Sequence, residues 1–308
     1  MSQNISSELS SEAVFCDAFQ RRLARWNRDR LAPAFPTEAA GSNEGLPAEM
    51  LVLESIFLTA LRLDVASAAM AAPTDADAFV SWFDELRVSG PGQQDTLFPW
   101  LAEQASFDDL RWFFEQEAAG EAGFDDLVAM TQVKMPIRAK LELARNYWDE
   151  MGRGNAKGMH GPMLGLLGTA LGVSPTIDGT VWESLALANA MTAMATRREF
   201  AWHSIGALGV IELTAPDRAR LVSDGLRRVG VSGKDRHYFD LHAVLDVKHS
   251  EAWNREVIGP LVADDPARAR FIAEGALIRL TCGERCYDRY RQMLWGAAAP
   301  AKPVAQAA

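Results

Sequence analysis

Residues 236–254, RHYFDLHAVLDVKHSEAWN, constrain the fold more than any other part of the chain. His242, Asp246 and His249 stand there at offsets of zero, four and seven. At about 100° per residue, a helix gathers these offsets into an arc of roughly 60° on one face. The same stretch carries Tyr238, Phe239, Leu241, Val244, Leu245 and Trp253, so it is apolar enough to lie in a core. Two imidazoles and a carboxylate on one stripe of a buried helix cost several kcal/mol to desolvate when unpaired. A metal ion is a partner that removes this cost. The competing reading is a solvated polar face, with Asp246 beside Lys248 or His249.

Nearly everything else also reads as helix, because Ala, Leu, Glu, Arg and Met dominate and strand-like alternation is scarce. The expected class is all-α. A first amphipathic helix covers 11–31, with Phe15, Phe19, Leu23 and Trp26 on its apolar face. Helices over 48–70 and 76–87 follow a Pro/Gly/Ser-containing linker, with Thr74 or Asp75 as a cap for the second. From Ser106, one helix of about 25 residues is expected, with an acidic first turn, then a turn at 133–136 and a return helix to Gly152. Further helices are expected over 178–196 and 197–213. Another starts at Thr214–Asp217 with Pro216 in its first turn. Pro260 is expected to end the stretch after the His-bearing helix, and 265–295 to form a last long helix.

Composition narrows the function classes. With 308 residues, 48% of them hydrophobic, the chain can bury a substantial core. A net charge of −10 argues against non-specific nucleic-acid binding. Cys282 and Cys286 are a lone pair at a four-residue spacing, with only Cys16 besides, which suits neither a disulfide framework nor a zinc site. The start lacks a basic segment followed by an apolar run, and no apolar stretch reaches the roughly eighteen residues of a membrane span. The expectation is a soluble, cytoplasmic protein with no nucleic-acid or membrane partner.

If 242–249 binds metal, neighbouring core helices must supply the other ligands. On the first arm of the hairpin, Phe113, Glu117, Glu121, Phe124 and Val128 share a face, so two acids interrupt an apolar stripe. Glu150 lies fifteen residues beyond a turn centred on Met135, and its opposite number should stand near position 120. Glu121 fits that count, with Glu117 as the fallback. For either acid, the competing reading is a salt bridge with Arg111, Lys134 or Arg138. His160 follows Glu150 by ten residues, which in an unbroken helix is about 15 Å along the axis, too far to share a metal. A break between Gly152 and Gly158 is therefore predicted. Tyr147, Trp148, Met151, Met159, Met163, Trp202 and Trp253 are candidates for lining a pocket, with core packing as the alternative. Lys140 and Arg145 are candidates for pairing with a substrate carboxylate, with plain surface charge as theirs.

The runs NYWDEMGRGNAKGMHGPML and, about eighty residues later, YFDLHAVLDVKHSEAW resemble the haem-oxygenase-like di-iron oxidases and oxygenases, the iron-containing redox enzymes. The resemblance covers roughly 105–255 and implies a haem-oxygenase-like helical bundle over 101–296. Residues 1–100 would be a helical extension packed on it, and 297–308 a disordered tail. It implies seven metal ligands: Glu121, Glu150, His160, Glu212, His242, Asp246 and His249. Glu212 enters because the family has a glutamate thirty residues before the first histidine of its third helix. Charge supports the set: four carboxylates balance two Fe(II), and three neutral imidazoles complete the coordination.

The implied activity is that of an O2-dependent non-haem di-iron oxidoreductase using two Fe(II), or Mn(II), with O2 as co-substrate. Its substrate would be a small molecule, undergoing amine N-oxygenation or oxidative C–C cleavage and decarboxylation of an amino or fatty acid. An external electron donor and a homodimeric assembly belong to the same expectation. Two rival readings are a cofactor-independent or haem-binding protein of the same fold, and a non-catalytic helical interaction protein.

Overall fold

The computed structural model describes residues 11–35, 46–121 and 123–296, and no strand forms among them. The chain opens with α1 (Ser11–Val14), α2 (Asp17–Leu31), α3 (Leu46–Met70), α4 (Ala76–Ser89) and α5 (Leu97–Glu103). Next come α6 (Phe107–Glu121), α7 (Phe124–Thr131), α8 (Ile137–Glu150) and α9 (His160–Leu171). The second half holds α10 (Trp182–Thr196), α11 (Ala201–Arg228), α12 (His237–Trp253), α13 (Gly259–Asp264) and α14 (Ala267–Trp295). The tail expected to be disordered, 297–308, lies outside the described residues. Among the described residues, no helix is long and apolar enough to cross a membrane.

Local chemistry explains several helix starts. The Asp75 carboxylate accepts from the Ala78 N–H at 3.0 Å and caps α4. At the head of α6, the Asp109 carboxylate accepts from the Ser106 N–H at 2.8 Å, while Ser106 Oγ accepts from the Asp109 N–H at 3.2 Å. Each side chain thus satisfies a backbone donor that the first turn leaves without a partner.

Four expectations need correction. The first helix is interrupted at Phe15–Cys16. The long helix from Ser106 is two helices, α6 and α7, and Gly123 before the second takes a left-handed φ of 87°. Pro216 opens no helix but sits inside the 28-residue α11. It removes only the hydrogen bond that would return to the Glu212 carbonyl, and α11 is packed against both α12 and α14, which outweighs that loss. Pro260 does not end the stretch but lies in the first turn of α13, and a π-helical turn over Asn254–Ile258 joins α13 to α12.

The bundle is built around α11. From Ala201 to Thr214 nearly every residue is buried, as a helix apolar on all sides must be. α12 and α14 run against it most closely, with α5 beside its second half and α10 beside α14. The approach to α14 is set by two glycines. A Cβ on Gly206 would stand 1.9 Å from the Ile272 carbonyl oxygen, and one on Gly275 1.9 Å from that of His203. The two backbones therefore touch. On another face Gly209 makes room for Trp253, whose indole N–H donates to the Ile205 carbonyl at 3.2 Å.

This crossing predicts a sharp asymmetry between alanine substitutions. Gly206→Ala should destabilise the protein by about 3 kcal/mol or more, because backbone cannot yield as a flexible side chain does. Gly165→Ala on α9, where nothing lies within 4 Å of the added Cβ, should be neutral or stabilising by about 0.5–1 kcal/mol. Urea midpoints compare the two directly; equal midpoints would contradict the close crossing.

Candidate metal centre

α8 turns Ala139, Glu142, Leu143, Asn146 and Glu150 towards the core, a spacing that keeps them on one helical face. Glu150 is its last residue. Two short 3₁₀ turns, Gly152–Gly154 and Ala156–Gly158, then reverse the chain, and His160 begins α9. The break predicted between Gly152 and Gly158 is present. Gly152 has a φ of 59°, and a Cβ on it would lie 2.3 Å from the Gly158 carbonyl carbon, so the reversal closes glycine on glycine. Residues ten apart in sequence thereby meet: His160 Nδ1 lies 2.6 Å from Glu150 Oε2.

That contact is not aligned as a hydrogen bond, and His160 Nδ1 has no other hydrogen-bond partner. Two donors so close without such alignment are suited to a shared third body rather than to each other. His242 completes a first triad with Glu150 and His160, its ligand atoms within 4.8 Å of theirs. Its ring is set from behind: Nδ1–H donates to the Tyr238 carbonyl at 2.6 Å, which leaves Nε2 as the lone-pair nitrogen. Glu150, Glu212 and His249 form a second triad within the same 4.8 Å limit. Glu150 belongs to both. Its carboxylate has two oxygens and stands between two places where a cation would be held.

The second triad has its own supports. His249 Nδ1 lies 3.4 Å from Glu212 Oε2 and 4.0 Å from Asp246 Oδ1. On the other side of the ring, Nε2 faces Asp149 Oδ2 at 3.2 Å. Arg153 holds Asp149 in turn at 2.5 Å. Asn146 donates to Glu212 Oε1 at 2.6 Å and sits 3.2 Å from His249 Nδ1. A carboxylate on the outer nitrogen of an imidazole fixes its tautomer and raises its basicity towards a metal. Neither Asn146 nor Asp149 stood out in the sequence, although Asn146 is one helical turn before Glu150 on the buried face and Asp149 adjoins it.

Glu150, His160, Glu212, Asp246 and His249 are each less than 8% exposed, while His242 is half-buried. Asp246 stands outside both triads but lines the same cavity as Glu150, Glu212 and His242. The Glu121 side chain lies outside the described residues. The left-handed Gly123 between α6 and α7 removes the continuous helix on which its hairpin count relied, and Glu117 lines the cavity. Arg111 and Arg138, the cations weighed against a ligand role for these acids, go to the Gly172 carbonyl and to Glu256.

Of the aromatic and Met residues suggested as pocket lining, none lines this cavity; Trp253 packs on Gly209 and Trp148 is 53% exposed. The lining rings are Phe98, Phe113, Phe124, Tyr238 and Phe239, brought by α5, α6, α12 and the start of α7. Lys140 is exposed and Arg145 pairs with Glu142, so neither reaches the cavity. Arg218 does. Its position on α11 was hidden by reading a helix boundary at Thr214.

The electrostatics are those of ligands brought together. Burial pushes the Glu150 carboxyl up to about 8, against the pull of His242. Burial also pushes His160 down to about 4. It opposes a charge on His249 as well, but the Glu212 and Asp149 carboxylates outweigh it and hold that ring up at about 9. Near pH 7 the metal-free site thus keeps Glu150 protonated, His160 neutral and His249 charged. The donor set is carboxylate oxygen and imidazole nitrogen, with no thiol, which suits Fe(II) or Mn(II) better than a closed zinc site.

An all-helical bundle that buries two carboxylate–imidazole triads around a shared glutamate is the scaffold of a metal-dependent redox protein. A family model described as "Iron-containing redox enzyme" matches residues 111–284, more than half of the chain and the whole of the candidate ligand set. The chain belongs to that family, and it is an iron-dependent oxidoreductase with a haem-oxygenase-like fold. No curated protein matches it.

Two outcomes are expected of this site. Asp149→Ala should weaken metal binding roughly 10–100-fold while leaving the helix content intact; unchanged affinity in a Mn(II) titration would remove Asp149 from the support. Loading metal near pH 7 should also displace about two protons, one each from Glu150 and His249, since both are protonated below about 8 and 9. Affinity therefore rises with pH, and proton release falls away above pH 9. Calorimetry in buffers of different ionisation enthalpy reads that number.

Proposed function

We propose that this chain binds two iron ions and uses O2 to oxidise a small organic molecule held in the Phe-lined cavity. The observation that carries the reading is the membership of Glu150 in both triads. Glu150, His160 and His242 would hold one ion, and Glu150, Glu212 and His249 the other. Asp246 and a glutamate of α6, Glu121 or Glu117, would complete the set. Bound Fe(II) supplies electrons and open coordination positions for O2.

The chain's own residues do the rest. Glu150, Glu212, Asp246 and the α6 glutamate balance the ionic charge, so the loaded centre is close to neutral inside the bundle. Asp149 keeps a proton on His249 Nε2 and so turns Nδ1 towards the ion. Asn146 fixes the Glu212 carboxylate. The rings of Phe113, Phe124 and Phe239 keep water from the reacting position, where a C–H bond or an amine would be presented. The reactions this arrangement suits are N-oxygenation of an amine and oxidative C–C cleavage or decarboxylation of an amino or fatty acid, with an external donor returning electrons where the stoichiometry needs them.

Anaerobic Fe(II) loading followed by metal analysis tests the ligand set. The wild-type protein should take up two irons per chain, Asp246→Ala or His249→Ala about one, and Glu150→Ala neither with useful affinity. Subsequent O2 uptake should accelerate with one member of a panel of amines, amino acids and fatty acids. Saturation of the wild type at a single iron, or retention of both by Glu150→Ala, would sink the two-ion reading.

A further inference from the structure

The cavity over the metal centre holds one guanidinium, and it forms no ion pair among the described residues. Arg218 lines the cavity from α11, six residues beyond Glu212, about 9 Å further along the helix axis. Its Nη1 is shut off from solvent and has no hydrogen-bond partner. Its Nη2 donates to the Thr214 hydroxyl at 3.1 Å, a neutral acceptor. The Phe98 and Tyr287 rings lie 5.9 Å from its central carbon and hold the group in place. No carboxylate among the described residues pairs with it, whereas Arg291 has Asp95 and Asp288, and Arg236 has Asp240. A guanidinium nitrogen shut off from solvent without an acceptor is costly, and a bound anion removes the cost.

We propose that Arg218 anchors the carboxylate of an anionic substrate, with the apolar body of that substrate lying between the Phe-lined wall and the two alanines of α11. Ala215 and Ala219 share the cavity face of α11 with Glu212 and Arg218 and leave space where larger side chains would fill it. Arg218 and Phe98 also line a second cavity, formed with residues 92–95 and Asp217, so Arg218 borders both spaces. The inference rests on the two-iron reading for its orientation. There the ionic charge is balanced by the chain's own carboxylates, and Arg218 is the cavity's guanidinium without an ion pair among the described residues. The acid group is then held away from the ions, and oxidation falls at the opposite end of the molecule. Within the reactions suited to the centre, this favours attack on a distal amine or carbon over decarboxylation.

Matched probes test this without iron or O2. Binding of 4-phenylbutanoate and 4-phenylbutylamine is measured by calorimetry on Zn(II)-loaded and metal-free protein, for wild type, Arg218→Gln and Arg218→Lys. The wild type should bind the acid in both metal states and prefer it to the amine by about tenfold or more. Arg218→Gln should lose about tenfold or more for the acid and keep or improve its affinity for the amine; Arg218→Lys should recover part of the loss. Thermal melts establish that the variants are folded. Acid binding within twofold of wild type in Arg218→Gln would overturn the assignment, as would preference for the amine, binding of neither probe, or acid binding that needs metal but not Arg218. Failure of the iron titration with this pattern intact would remove the two-iron reading and leave the anion site standing.

Discussion

The charge state of Glu150 is the constraint on which the site turns. Its carboxyl is 4% exposed and lies within reach of two histidines on one side and a second acid with a third histidine on the other. In a medium of low polarity such a group cannot stay ionised without a cation close by. Burial therefore holds a proton on it, and that proton must leave before a metal is bound. Binding and deprotonation are one event here, and the same helices that enforce the burial also supply the other ligands. What makes the site awkward to fold without metal is what makes it selective for a doubly charged ion.

The two ends of the cavity are linked by a single rigid part. α11 carries Glu212 at the metal end and Arg218 beyond it, and the glycine crossing with α14 fixes its depth in the bundle. A helix of fixed rise per residue makes a dependable ruler between two groups. Pro216, set between them, removes a backbone hydrogen bond at the Glu212 carbonyl without ending the helix. Stability of this element comes from its neighbours rather than from its own propensity, which is why a local reading placed a boundary there.

Much of the centre was legible because helical periodicity acts over short intervals. The spacing of His242, Asp246 and His249 predicts one face, and α12 provides it. The ten-residue interval from Glu150 to His160 predicts a reversal, since a straight helix would separate them, and the glycines between them make it. The all-α class follows from composition and is what forms. The parts that were not legible depend on distant contacts. The break at Gly123 undid a count made across an assumed continuous hairpin. Asn146 and Asp149 matter only because His249 and Glu212 arrive from other helices, and nothing local marks them. The cavity rings were misassigned for the same reason: Tyr147, Trp148 and Trp253, near the ligands in sequence, do not line the cavity, while Phe98 and Phe113 come from other segments of the chain.

The reversal between α8 and α9 has a further implication for how this protein tolerates change. Because Gly152 and Gly158 close on each other, the segment acts as a spacer of set length between two ligands. Adding or removing one residue would break the closure of Gly152 on Gly158 and carry the imidazole of His160 off its partners. Surface loops usually absorb such length changes with little effect. This one is a surface loop that should behave, under insertion and deletion, like part of the core.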